Sequence, residues 1–140
     1  MNWVKKPLGS IQFLTIHCSA SPIGRGDSAA IVMTWDEARF GQPSYHWIVE
    51  ENGNKVRCID DEFKGAHVHL NNSHNIGICY IGGVDANMKP KDTRTIEQTK
   101  SLRELVATYN AKVPNLIIRG HRDWPGVSKA CPSFDVATKL

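Results

Sequence analysis

Residues 11–17, IQFLTIH, constrain the fold more than any other segment. The run is apolar and β-branched, without the strict alternation of a half-exposed strand, so it reads as a buried strand that ends at His17. A buried strand needs covering elements, and the chain offers two. Ser28 to Phe40 reads as a helix capped by Asp27 or Ser28, with Ile31, Trp35 and Ala38 on one face and Gly41-Gln42-Pro43 as its stop. Thr95 and Gln98 form a capping box, after which Ile96, Thr99, Leu102, Leu105, Val106 and Tyr109 recur at helical spacing until Pro114.

Further strands lie between and after these helices. Tyr45 to Glu50 and Lys55 to Ile59 flank Asn52-Gly53, which is the signal of a hairpin. Ile76 to Ile81 is another apolar run, stopped by Gly82-Gly83, and Leu116 to Ile118 is a short buried strand leading to His121. Residues 64–75 form a loop rich in His and Asn. There is no repeat and no linker, and 140 residues fit one domain, residues 1–140. The expected class is therefore α/β, a single domain with a central mixed β-sheet flanked by helices.

Composition excludes several roles. With 41% hydrophobic and 22% charged residues the chain is no disordered segment, and a formal net charge of +3 is too small to argue for nucleic acid. No apolar run approaches the roughly 20 residues of a membrane helix. Lys5 and Lys6 precede an apolar stretch, but Gly9, Ser10, Gln12 and His17 interrupt it, so no export signal is read. Four cysteines could make two disulfides; a chain made without an export signal is expected to keep thiols free or metal-bound. Cys58 and Cys79 fall in apolar stretches and read as small core residues.

Three polar residues stand where apolar strands run out. His17 closes the first strand, His121 follows the last, and Cys131 lies ten positions further on a loop rich in Pro and Gly. Two imidazoles and a thiolate suit zinc and leave its fourth position open, as in a catalytic site. Such an ion polarises a carbonyl and makes hydroxide available near neutral pH, which equips a site for amide hydrolysis. His67, His69 and His74 are rival ligands by chemistry. Glu50 and Glu51 flank the hairpin turn and read as solvated, and Asp135 reads as the start of a last short helix.

Four segments, in order, resemble the type-2 N-acetylmuramoyl-L-alanine amidases. They are Thr15-Ile16-His17-Cys18-Ser19-Ala20, Ser44-Tyr45-His46-Trp47, Asn75-Ile76-Gly77-Ile78 through Gly82-Gly83, and Lys129-Ala130-Cys131-Pro132-Ser133-Phe134-Asp135. The likeness is nearest to small phage lysozymes of that family and more distant to peptidoglycan recognition proteins. It implies an enzyme with one Zn2+ per chain that cuts between the lactyl group of N-acetylmuramic acid and L-alanine. By the same resemblance His17, His121 and Cys131 match the zinc ligands, Tyr45 a tyrosine near the zinc water, and Lys129 the active-site lysine. His67 and Asn72 match positions that line the substrate groove, which lowers the standing of His69 and His74 as ligands.

The chain departs from the family in two places. The loop from Arg122 to Ala130 is longer than in the phage lysozymes, and the stretch from Asn71 to Asn75 shuffles His, Asn and Ser. The expected partner is peptidoglycan or a muropeptide, with no nucleic acid and no membrane, and the expected state is a monomer. Such an enzyme would act on the wall after release, or on muropeptides in the cytoplasm. The competing reading is a non-catalytic peptidoglycan-binding or regulatory module of the same fold. Non-catalytic relatives commonly lack the Cys ligand, and Cys131 is present here.

Overall fold

The structure, a computed structural model, describes residues 3–140. In chain order the elements are β1 (Phe13–Cys18), β2 (Ser21–Pro22), α1 (Ala29–Phe40), β3 (Trp47–Val49), β4 (Lys55–Arg57), β5 (Asn75–Tyr80), β6 (Gly83–Val84), α2 (Ile96–Lys112), β7 (Ile117–Gly120), a 3-10 turn at His121–Asp123, and α3 (Val136–Lys139). Five strands form a mixed sheet in the order β4-β3-β5-β1-β7, and β2 pairs with β6 beside it. β1 runs parallel to β5 and β7, β5 parallel to β3, and only the β3–β4 hairpin is antiparallel. This is the expected α/β domain.

Strand periodicity divides the sheet into two unlike faces. Leu14, Ile16 and Cys18 of β1, with Ile76, Ile78 and Tyr80 of β5, pack against Leu102, Leu105 and Tyr109 of α2. That face is fully apolar, and each such buried side chain contributes about 1.5–3 kcal/mol. The alternate residues point the other way: Thr15 and His17 on β1 stand in register with Gly77 and Cys79 on β5. There Ala29 and Val32 of α1 join Ile48, Cys79 and Ile81 in a smaller cluster. The helix covers only part of this second face, and the uncovered part carries the polar residues.

The caps form as the sequence predicts. Ser28 caps α1 by accepting from Ile31 N, and Thr95 and Gln98 form the reciprocal capping box of α2. Gln98 does more than cap, because its Nε2 donates to Ile81 O at 2.9 Å and so docks the helix on the sheet. Three sequence expectations need correction. The face of α1 that carries Ile31, Trp35 and Ala38 is exposed, with Trp35 40% accessible, and the helix buries Ala29 and Val32 instead. Ile96, counted on the inner face of α2, is the first residue of the helix and is 87% exposed. Glu50 and Glu51 are not idle in solvent either: their carboxylates accept from Ala29 N and Gly24 N, holding the entry to α1.

Candidate active site

His17 ends the polar row of β1 and is 1% exposed. His121 begins the turn after β7, so the parallel pairing of β1 with β7 brings the two histidine rings to 4.7 Å between centroids. Cys131 reaches them because its loop closes on itself: Arg122 N–H donates to Cys131 O at 2.8 Å. Gly120 permits that closure, since a Cβ there would stand 2.8 Å from Pro132 Cδ. The ligand atoms of His17, His121 and Cys131 all lie within 4.8 Å of one another. The end of β1 and the loop that follows β7, distant in sequence, thus deliver two imidazoles and a thiol to one point. His69 and His74 lie outside this cluster; His74 sits instead against Ser10 O at 2.9 Å through Nδ1.

Electrostatics suit a cation. Burial, then the nearby His67, His121 and Lys129, hold His17 well below the ordinary histidine range, so its ring is neutral and keeps a lone pair. Burial and Lys129 lower His121 in the same direction. The Cys18 side chain beside it and burial push the Cys131 thiol up, so a proton leaves that sulfur readily only in exchange for positive charge. Two neutral imidazoles and a thiol are a donor set that would fit zinc, and all three line one groove.

The groove holds about 650 Å³ and runs between the outward face of α1 and the loop around residues 66–72. Trp35, Asp36, Arg39 and Phe40 form one bank, Ala66 to Leu70 with Asn72 the other, and Lys129 stands at the end that holds His17 and His121. Tyr45 lies on the floor, its ring 5.0 Å from that of His17. Burial raises the Tyr45 hydroxyl well above the usual tyrosine value, so it stays protonated and can donate its proton to one partner while its oxygen accepts from another. Asp36 is pushed up to about 6 by burial, against the pull of Ser44 N–H and hydroxyl beside it.

His67 and Asn72 border the groove, but much of their hydrogen bonding is spent inside the protein. Asn72 Oδ1 accepts from both His67 N and Val68 N at 3.0 Å, leaving only its amide NH2 free for the groove. His67 is 8% exposed, with Nδ1 2.9 Å from His17 Nε2 and Nε2 3.1 Å from Asn75 O. Burial lowers its pKa to about 3, so it is neutral.

Sequence reasoning missed the support beneath these groups. Trp124 Nε1–H donates to Thr15 Oγ1 at 3.0 Å, and Thr15 Oγ1–H donates to Asn75 Oδ1 at 2.8 Å. This chain pins the turn carrying His121 to the middle of the sheet. His46 is a second pin: it accepts from Gly77 N–H through Nδ1 at 3.0 Å and donates to Phe63 O through Nε2 at 2.7 Å. The available signal was the polar Thr15 and His17 two residues apart in an otherwise apolar strand, which mark one face.

Comparison with known proteins places this arrangement. Residues 7–134 match the family described as N-acetylmuramoyl-L-alanine amidase. The chain belongs to that amidase family. An endolysin of Enterobacteria phage T3 is 32% identical over 132 residues, covering 94% of this chain and 86% of its own. Among solved structures, the Ph2119 endolysin from a Thermus scotoductus MAT2119 bacteriophage superposes with a TM-score of 0.76 at 18% identity, over 94% of this chain and 84% of that one. A Drosophila PGRP-LB variant in complex with tracheal cytotoxin shares the fold with a TM-score of 0.75 at 16% identity, over 92% of this chain and 79% of that one. The amidase is a peptidoglycan hydrolase that cleaves the amide between N-acetylmuramic acid and L-alanine, and the enzyme reading prevails over a non-catalytic module of the same fold.

Proposed function

We propose that this hydrolysis depends on zinc, with His17, His121 and Cys131 holding one Zn2+ per chain. The observation that carries the reading is the convergence of those three donor atoms within 4.8 Å at one end of the groove. When bound, zinc supplies Lewis acidity, polarising the amide carbonyl and bringing the pKa of water down to about 7. Lys129 borders the same end of the groove and bears on both His17 and His121. Its ammonium faces the negative charge that grows on the carbonyl oxygen, a contribution typically worth about 10²–10³ in turnover. Tyr45, protonated at rest, orients the attacking water, or gives its proton to the departing amine of L-alanine and takes one back from the attacking water.

The substrate lies along the groove, with the stem peptide between α1 and the loop around residues 66–72. Asn72 offers its free amide NH2 there, and His67 forms part of the same bank. A structural neighbour solved in complex with tracheal cytotoxin supports a muropeptide or peptidoglycan ligand for this groove. The endolysin relatives support action on the cell wall after release. Among the described residues no helix is long and apolar enough to cross a membrane.

The test is the metal content of protein purified without added zinc, paired with release of stem peptide from purified peptidoglycan. The expected result is about one zinc per chain, with release lost on chelation and restored by zinc. A folded protein that retains no zinc yet releases stem peptide at full rate would refute the zinc assignment.

A further inference from the structure

The contact between His67 and His17 fixes more than a distance. Asn75 O is a carbonyl and can only accept, so the His67 Nε2 that lies 3.1 Å from it carries the proton. Both rings are enclosed, and neither has a carboxylate partner among the described residues, so both are neutral. The other nitrogen of His67, Nδ1, is then a bare lone pair and accepts from His17 Nε2–H at 2.9 Å. With its proton committed to Nε2, His17 has a bare Nδ1, and that atom lies 3.9 Å from Cys131 Sγ. Two further features show that the His67 ring is seated for this contact. Gly77 leaves it room, because a Cβ there would lie 2.8 Å from three ring atoms. Asn72 Oδ1 clamps the backbone that carries it.

We propose that His67 is a positioning residue that holds His17 in the tautomer whose Nδ1 lone pair faces Cys131 and His121, and thereby sets how tightly the site binds zinc. This rests on the zinc reading above. The chain Asn75 C=O, His67, His17 orients the ring and raises its basicity as a ligand, the role outer hydrogen-bond partners commonly play at metal sites. Nothing in it requires His67 to touch the substrate.

Two measurements test it. In 15N-labelled wild-type protein stripped of metal, imidazole correlation spectra should show His17 and His67 both protonated at Nε2. A scalar coupling should connect His17 Nε2–H to His67 Nδ1 across the hydrogen bond. This needs no variant and no activity. Second, His67→Phe keeps a planar ring, somewhat larger, without its nitrogens and should weaken zinc binding, measured by chelator competition, by about 10–100-fold. A wild type that binds zinc but carries the His17 proton on Nδ1 when metal-free overturns the proposal. So does a folded His67→Phe protein that binds zinc within twofold of wild type. A wild type that shows the coupling yet takes up no zinc overturns the zinc reading instead.

Discussion

Replacing Thr15 with Val tests whether the buried polar chain under the site is a working part of the fold. Val matches Thr in shape, so the substitution leaves no cavity at a position that is 0% exposed. It removes the hydroxyl that accepts from Trp124 Nε1–H at 3.0 Å and donates to Asn75 Oδ1 at 2.8 Å. Both remaining groups are then sheltered from water without a partner. Each orphaned group costs about 1–3 kcal/mol, so the expected loss for the two is about 2–6 kcal/mol. Against a total stability of about 5–15 kcal/mol that is a large fraction. For a chain of 140 residues the melting temperature should fall by about 7–20 °C. Urea unfolding followed by circular dichroism measures the loss. The double variant Thr15→Val/Trp124→Phe supplies the control, because removing the indole N–H relieves one of the two orphans. The Trp124→Phe step should therefore cost less in the Thr15→Val background than alone, apart from the shared loss of ring volume. A Thr15→Val protein within about 0.5 kcal/mol of wild type, the ordinary scatter for an inert substitution, would refute the reasoning.

Other expectations follow from the same geometry. His17→Ala or Cys131→Ala should abolish zinc retention and stem-peptide release together, and unchanged zinc content in either would remove that residue from the ligand set. Tyr45→Phe should retain zinc while losing most of the turnover; normal release by this variant would leave Tyr45 only its packing role. Lys129→Met should leave zinc content unchanged and lower turnover by about 10²–10³, which release assays at saturating substrate can check. Asp36 gives a pH dependence whose sign is set by burial, with Arg39 and Glu37 on its own helix and Ser44 facing it. Its folded pKa is raised from 3.8 to about 6, so the stability it contributes is full below the lower value and lost as pH rises through the higher one. Relative to wild type, Asp36→Asn should therefore gain stability between pH 4 and pH 7, measured by urea unfolding at both; a flat difference would show that Asp36 titrates normally.

The sequence by itself determined the elements and most of the chemistry. Apolar β-branched runs, a capping box and an Asn-Gly turn act over a few residues, so their signals are local and survive without tertiary contacts. The same locality made His17 and His121 visible as polar residues where apolar runs end, and Cys131 as the thiol on the loop beyond, while the family resemblance chose them over the rival histidines and supplied the candidacy of Tyr45 and Lys129. Tertiary structure decided the rest. Whether His17 meets two donors more than a hundred residues further along the chain depends on β1 lying between β5 and β7 and on Arg122 closing the loop onto Cys131, neither of which is encoded in local spacing. The face of α1 turned to the core also escaped the pattern. The hydrophobic Ile31 and Trp35 are exposed, and only packing against the sheet selects the smaller Ala29 and Val32. His67 shows the limit most clearly: a histidine in a polar loop reads as a groove residue, and only the approach of two strands to that loop places its nitrogens between Asn75 O and His17.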